Sequence, residues 1–129
     1  MTKYIIDSYA WIEYLDGTDK GEKVKAVLSN EKNECYIIGL VFAEVVSKAK
    51  RRGGNWSIAA KAIKTMSQLL PMDFELSENA ALIHAEKKQT MKDFSLTDAF
   101  VLAASKHLNA KILTGDEHFR KVKEAIFVR

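Results

Sequence analysis

Short apolar runs separated by longer helical stretches constrain this chain most. Residues 4–6, 35–38, 72–76 and 111–114 are each too brief for a helix, and 126–128 adds a candidate edge strand. Between them lie segments with helical apolar spacing: 9–15, 20–28, 40–51, 56–70, a stretch from Ser77 to about residue 90, 96–107 and a short piece near 118–123. Gly17, Gly53 and Pro71 supply stop signals, and Ser77 and Ser95 read as N-caps. Strands that alternate with helices form a mostly parallel sheet covered on both faces. The expected fold is therefore α/β, a three-layer sandwich with a mostly parallel central sheet and right-handed crossovers. One domain over residues 1–129 accommodates it.

Composition narrows the class. The chain is 47% hydrophobic and 29% charged, which a globular fold can use and a disordered one would not show. Cys35 is the single cysteine, so neither an internal disulfide framework nor a multi-cysteine zinc site is available. It sits in an apolar run and reads as a buried thiol. The apolar stretch at the N-terminus and the one at 99–104 are too short to span a membrane. A soluble cytoplasmic protein is expected. The net charge of +3 permits a polyanionic partner without requiring one.

In a parallel doubly wound sheet the ligand crevice lies beyond the carboxyl ends of the strands. Four acids fall at that edge. Asp7 directly follows the first strand, and Asp116 comes two residues after the strand at 111–114. Glu44 lies early in the helix after the second strand, and Asp98 in the first turn of an almost wholly apolar helix. Each has a plainer reading. Asp7 is a candidate N-cap; Thr114 with Glu117 and Ser95 with Asp98 match capping boxes; Glu44 is spaced to pair with Lys48.

Together the four suggest more. Carboxylates gathered in one crevice repel and raise one another's pKa, and a divalent cation removes the conflict. Oxygen donors without a His–Cys set favour Mg²⁺ or Mn²⁺ over Zn²⁺. Such ions activate water and stabilise the leaving oxygen in phosphodiester hydrolysis.

These residues also form a familiar pattern. Ile5-Ile6-Asp7-Ser8-Tyr9-Ala10-Trp11-Ile12, the placement of Glu44, Ser95-Leu96-Thr97-Asp98-Ala99 and Thr114-Gly115-Asp116-Glu117-His118-Phe119 resemble the PIN-domain family, in order and over the whole chain. The nearest group is the VapC-type toxins of toxin–antitoxin pairs. The resemblance implies Mg²⁺- or Mn²⁺-dependent endoribonuclease activity, homodimerisation and inhibition by a small antitoxin. It makes Asp7, Glu44, Asp98 and Asp116 the catalytic, metal-binding set, with Ser8 and Thr114 supporting it by hydrogen bonds. Asp93 lies close to Asp98 in sequence, but its neighbours fit a connecting loop.

Other features have two readings. Lys48, Lys50, Arg51 and Arg52 suit a helix C-terminus and could also contact RNA phosphates. Tyr9, Trp11, Ile12 and Tyr14 crowd one short helix. Trp11 belongs in the core or at a dimer face, and an exposed remainder would suit an antitoxin or a second subunit. His84, His107 and His118 lack metal-ligand spacing. Two competing functions are a non-catalytic α/β binding module and a receiver-like domain phosphorylated on Asp7. The second lacks a strand-end lysine, because Lys111 opens its strand. Dinucleotide binding lacks its glycine fingerprint.

Overall fold

In the computed structural model, which describes residues 1–115, Phe119 and Ala125–Phe127, the elements alternate as expected. They are β1 (Thr2–Ile6), α1 (Ser8–Asp16), α2 (Asp19–Ser29), β2 (Asn33–Ile38), α3 (Gly39–Arg51), α4 (Trp56–Met66), β3 (Gln68–Leu70), α5 (Phe74–Lys87), α6 (Leu96–Leu108), β4 (Lys111–Thr114) and β5 (Ala125–Phe127). The five strands form one sheet in the order β3-β2-β1-β4-β5, and every pairing is parallel. The expected helix at 118–123 falls outside the described residues apart from Phe119.

The path through the sheet fixes where the helices go. From β1 to β2 to β3 the chain moves one way, then it returns past β1 to β4. Right-handed crossovers put the helices of the outward path on one face and those of the return on the other. The packing agrees, since α1 meets α2 and α3, α3 meets α4, and α5 meets α6. The direction reverses between β1 and β4. The crevice therefore opens beyond the carboxyl ends of those two strands.

Burial follows the sequence pattern. Ile5, Ile6, Ile38 and Ile112 are fully buried in the central strands. α6 buries eight consecutive residues from Asp98 through Ser105, as its apolar circumference requires. Cys35 is buried, and desolvation pushes its thiol pKa up to about 11, so the thiolate is disfavoured. Among the described residues no helix is long and apolar enough to cross a membrane.

One region departs from the expectation. The third strand is Gln68–Leu70, not residues 72–76, and α4 ends at Met66 rather than running to residue 70. Leu69 and Leu70 continue the apolar spacing of the helix, so the pattern alone does not mark its end. Ser67 does, by adopting an extended backbone as C-cap. Pro71 then closes an edge strand instead of a helix. Nor does Ser77 cap the next helix. Asp73 does, accepting the Leu76 amide at 2.9 Å, so α5 begins at Phe74.

The α1–α2 hairpin depends on one close approach. A Cβ at Gly21 would stand 2.1 Å from the backbone oxygen of Glu13. In an exposed helix, replacing Gly by Ala gains about 1 kcal/mol. Here the sign reverses. Gly21→Ala is expected to cost about 1–3 kcal/mol through overpacking, measured by denaturant unfolding. A stabilised variant would show that the two helices can separate freely.

Candidate active site

The site is built from the end of β1. The Asp7 amide donates to the Leu113 carbonyl at 3.1 Å, carrying the β1–β4 ladder one residue past the strand. Asp7 is also the N-cap of α1, with extended backbone (φ −75°, ψ 160°). Its side chain is only 3% exposed. One carboxylate oxygen, Oδ1, accepts the Ser8 amide at 2.7 Å and the Ser8 hydroxyl at 3.4 Å. The other, Oδ2, accepts the hydroxyl of the fully buried Thr114 at 2.7 Å. Both supporting hydroxyls named from the sequence thus lie on Asp7, and the β4 end is tied to the β1 end.

Asp98 stands in the first turn of α6 and is 7% exposed. The capping box is real: the Ser95 hydroxyl accepts the Asp98 amide at 3.0 Å, and Asp98 Oδ2 accepts the Ser95 amide at 3.0 Å. The cap does not exclude a ligand role, because it fixes a buried carboxylate near the sheet edge. α6 packs against β1 and β4, whose ends carry Asp7 and Thr114.

Glu44 lies on the surface side of α3. Its carboxyl pKa is raised above the ordinary glutamate value, first by desolvation and then by the charge of Asp98. The two acids, on different helices, therefore feel each other. Glu44 does not form the expected ion pair with Lys48.

Asp116, the fourth expected acid, lies outside the described residues. The described residues on either side of it are Gly115 and Phe119. Gly115 lies under the ring of Tyr9. Phe119 is fully buried and packs edge-on against Phe94, with ring centres 6.3 Å apart.

Among the described residues no three His, Cys, Asp or Glu side chains form a group that could hold a metal ion. Asp7, Asp98 and Glu44 do supply oxygen donors of the hard type that Mg²⁺ and Mn²⁺ prefer. The electrostatic conflict between Glu44 and Asp98 is also of the kind a cation relieves. The donor chemistry fits such an ion, with Asp116 still to be counted.

The basic cluster does not form one track. Lys48 and Arg52 line a cleft between α1, α3 and α4, and Arg52 pairs with Asp16 at 3.1 Å. Lys50 points to a separate groove beside Phe42 and Trp56. Arg51 donates to Ser47 at 3.3 Å and lies two turns after Glu44, on the same strip of α3. Trp11 is fully buried, as read from the sequence, and packs edge-on against Tyr14. Lys20, which sequence reasoning did not single out, reaches the Tyr9 hydroxyl from α2. No local motif announces that contact, because it depends on the hairpin.

The PIN domain family model matches residues 4–125. Comparison with curated protein sequences gives no match. Several solved structures share the fold. A toxin–antitoxin complex from Klebsiella pneumoniae is 16% identical, covers 95% of each chain and has a TM-score of 0.75. VapBC2 from Rickettsia felis, bound to a DNA fragment from its promoter, is 15% identical, covers 98% of this chain and 97% of that one, and has a TM-score of 0.73. VapC20 from Mycobacterium tuberculosis, a sarcin-ricin loop cleaving toxin, is 19% identical, covers 84% and 85%, and has a TM-score of 0.68.

The raised pKa of Glu44 has a consequence for stability. A carboxyl whose folded pKa exceeds its unfolded value contributes stability below the unfolded pKa and loses it as pH rises through the folded pKa. Glu44→Gln is therefore expected to raise Tm at neutral pH and to match the wild type under acid conditions that protonate Glu44. Thermal melts across pH check this. A lower Tm for the variant at neutral pH would mean that neither desolvation nor the charge of Asp98 burdens Glu44.

Proposed function

The chain belongs to the PIN-domain family, and from that premise we propose that it is a divalent-metal-dependent endoribonuclease, the toxin of a toxin–antitoxin pair, acting in the cytoplasm as a single domain. The observation that carries the reading is Asp7. It is a buried carboxylate at the switch point of a parallel sheet, held by Ser8 on one oxygen and by Thr114 on the other. The charge of Asp98 felt at Glu44 supports it.

In this reading Asp7, Glu44, Asp98 and Asp116 hold Mg²⁺ or Mn²⁺. Bound there, the ion supplies Lewis acidity and neutralises the charge that builds up during in-line displacement at phosphorus. Asp7 and Asp98 arrive already oriented, the first by Thr114 and Ser8, the second by its capping box. Pre-orientation of this kind is what a hydrolytic site needs from its ligands. Glu44 completes the donor set from the described residues, and an ion held there would relieve the desolvation and the charge of Asp98 that raise its carboxyl pKa.

The partners follow from the same reading. RNA is the substrate, as suggested by structural likeness to a sarcin-ricin loop cleaving toxin. The antitoxin has an open cleft between α1, α3 and α4 to occupy, lined by Ile12, Leu15, Val45 and Ile58. A homodimer would cover the exposed apolar residues Leu69 and Phe74, the latter 95% exposed. Arg51, two turns past Glu44 on the same strip of α3, is the basic residue best placed to meet RNA, and Lys50 faces a separate groove. Lys48 and Arg52 face the cleft.

Two experiments test this. RNA cleavage with Mg²⁺ or Mn²⁺ is expected to stop on addition of EDTA and in Asp7→Asn, which removes a charge while keeping the shape. Asp98→Asn is expected to lose activity too, and to lose about 1 kcal/mol of stability if its cap weakens. Full activity of Asp7→Asn at ordinary Mg²⁺ would remove Asp7 from the mechanism. For the basic residues, Arg51→Ala is expected to flatten the salt dependence of RNA binding more than Arg52→Ala does. Equal effects would mean that the strip shared with Glu44 does not guide the strand.

A further inference from the structure

Tyr9 is the second residue of α1, two positions past Asp7. Its ring lies against Gly115, the residue that joins Thr114 to Asp116 in the sequence. A Cβ built at Gly115 would stand 2.1 Å from Tyr9 Cε1 and 2.5 Å from Cδ1, so the ring takes the space of any side chain there. The ring therefore spans the ends of β1 and β4, where the crevice opens. Its outer end is met by Lys20, whose Nζ donates to the Tyr9 hydroxyl at 3.2 Å and lies 5.7 Å from the ring centre. Lys20 is exposed and, among the described residues, has no carboxylate within ion-pair distance, although it feels the charge of Glu13.

This arrangement has a consistent physical sense. A lysine that served only to offset the acids would pair with one of them, and Lys20 pairs with none among the described residues. Its ammonium is held instead by a neutral phenol and a ring face, contacts that localise a cation without neutralising it. The hydrogen bond to Tyr9 also raises the Lys20 pKa, so the charge is kept. A polyanion approaching a crevice of carboxylates meets repulsion, and a fixed cation at the rim opposes it.

We propose that Lys20, held by Tyr9, contacts a phosphate of the RNA strand beside the scissile one and so guides the strand into the acidic crevice. Lys20 touches substrate; Tyr9 is a positioning residue that acts through it. The inference rests on the ribonuclease reading and extends it to a named contact.

The test measures binding of a short single-stranded RNA oligonucleotide by fluorescence anisotropy over a range of salt concentrations, in the Asp7→Asn background so that bound RNA stays intact. Lys20→Met is expected to reduce the magnitude of the log–log salt slope by about 0.7, the value for one phosphate contact on a single strand. Lys20→Arg is expected to restore most of the slope. Tyr9→Phe keeps the ring on Gly115, removes the acceptor for Lys20 and is expected to lose part of the slope. Lys25→Met, at an exposed lysine further along α2, is the control. In the otherwise unaltered enzyme, Lys20→Met is expected to raise KM while kcat stays within about twofold. An unchanged slope in Lys20→Met overturns the proposal, as does an equal loss in Lys25→Met. A lowered Tm with an unchanged slope also overturns it, assigning the contact to helix packing alone. If the wild type cuts no RNA with either metal, it is the ribonuclease reading that falls, and the two failures are thus distinct.

Discussion

The hydrogen bond from Thr114 to Asp7 is the contact on which the arrangement of the site depends. It joins residues 107 apart in sequence and ties the ends of adjacent parallel strands. The cost of leaving a buried carboxylate without donors is large, so the fold must bring Thr114 and Ser8 to it. The register of β1 on β4 meets that demand, with Ile6 opposite Leu113 and the Asp7 amide donating to the Leu113 carbonyl. A one-residue slip would turn Thr114 to the other face of the sheet. The same contact that satisfies the carboxylate therefore fixes the edge of the crevice.

Much of this was legible because the chemistry is local to strand ends. Asp7 and Asp98 stand out as acids beside buried apolar runs, and both are buried in the structure. Their capping readings were also correct, since Asp7 caps α1 and Asp98 completes a capping box. A cap does not compete with a site role for them, because helix N-termini and strand carboxyl ends meet at the same edge. Glu44 was ambiguous in the other direction. Its spacing to Lys48 suggested an ion pair, but its carboxyl responds to desolvation first and to the charge of Asp98 second.

What was not legible depends on three-dimensional placement. Lys48, Lys50, Arg51 and Arg52 are adjacent in sequence, yet successive positions on a helix point about 100° apart, so they serve different surfaces. Apolar spacing could not show where α4 stops and β3 starts, because an edge strand with exposed Leu69 needs no strict alternation. The contact of Tyr9 with Lys20 exists only because Gly21 lets α2 fold close upon α1.

The acids also differ in how their charge is accommodated. Asp98 lies in the first turn of α6, where backbone amides and the helix dipole favour negative charge. Among the described residues Asp7 accepts three hydrogen bonds at the start of α1. Glu44 has neither arrangement, because it lies beyond the first turn of α3, a helix with no side-chain cap and with no acid in that first turn. Its carboxyl pKa is raised, first by desolvation and then by the charge of Asp98. Asp98 is held by its own capping box and Asp7 by Ser8 and by Thr114 at the end of β4. Glu44, on the surface side of its helix, has neither kind of support.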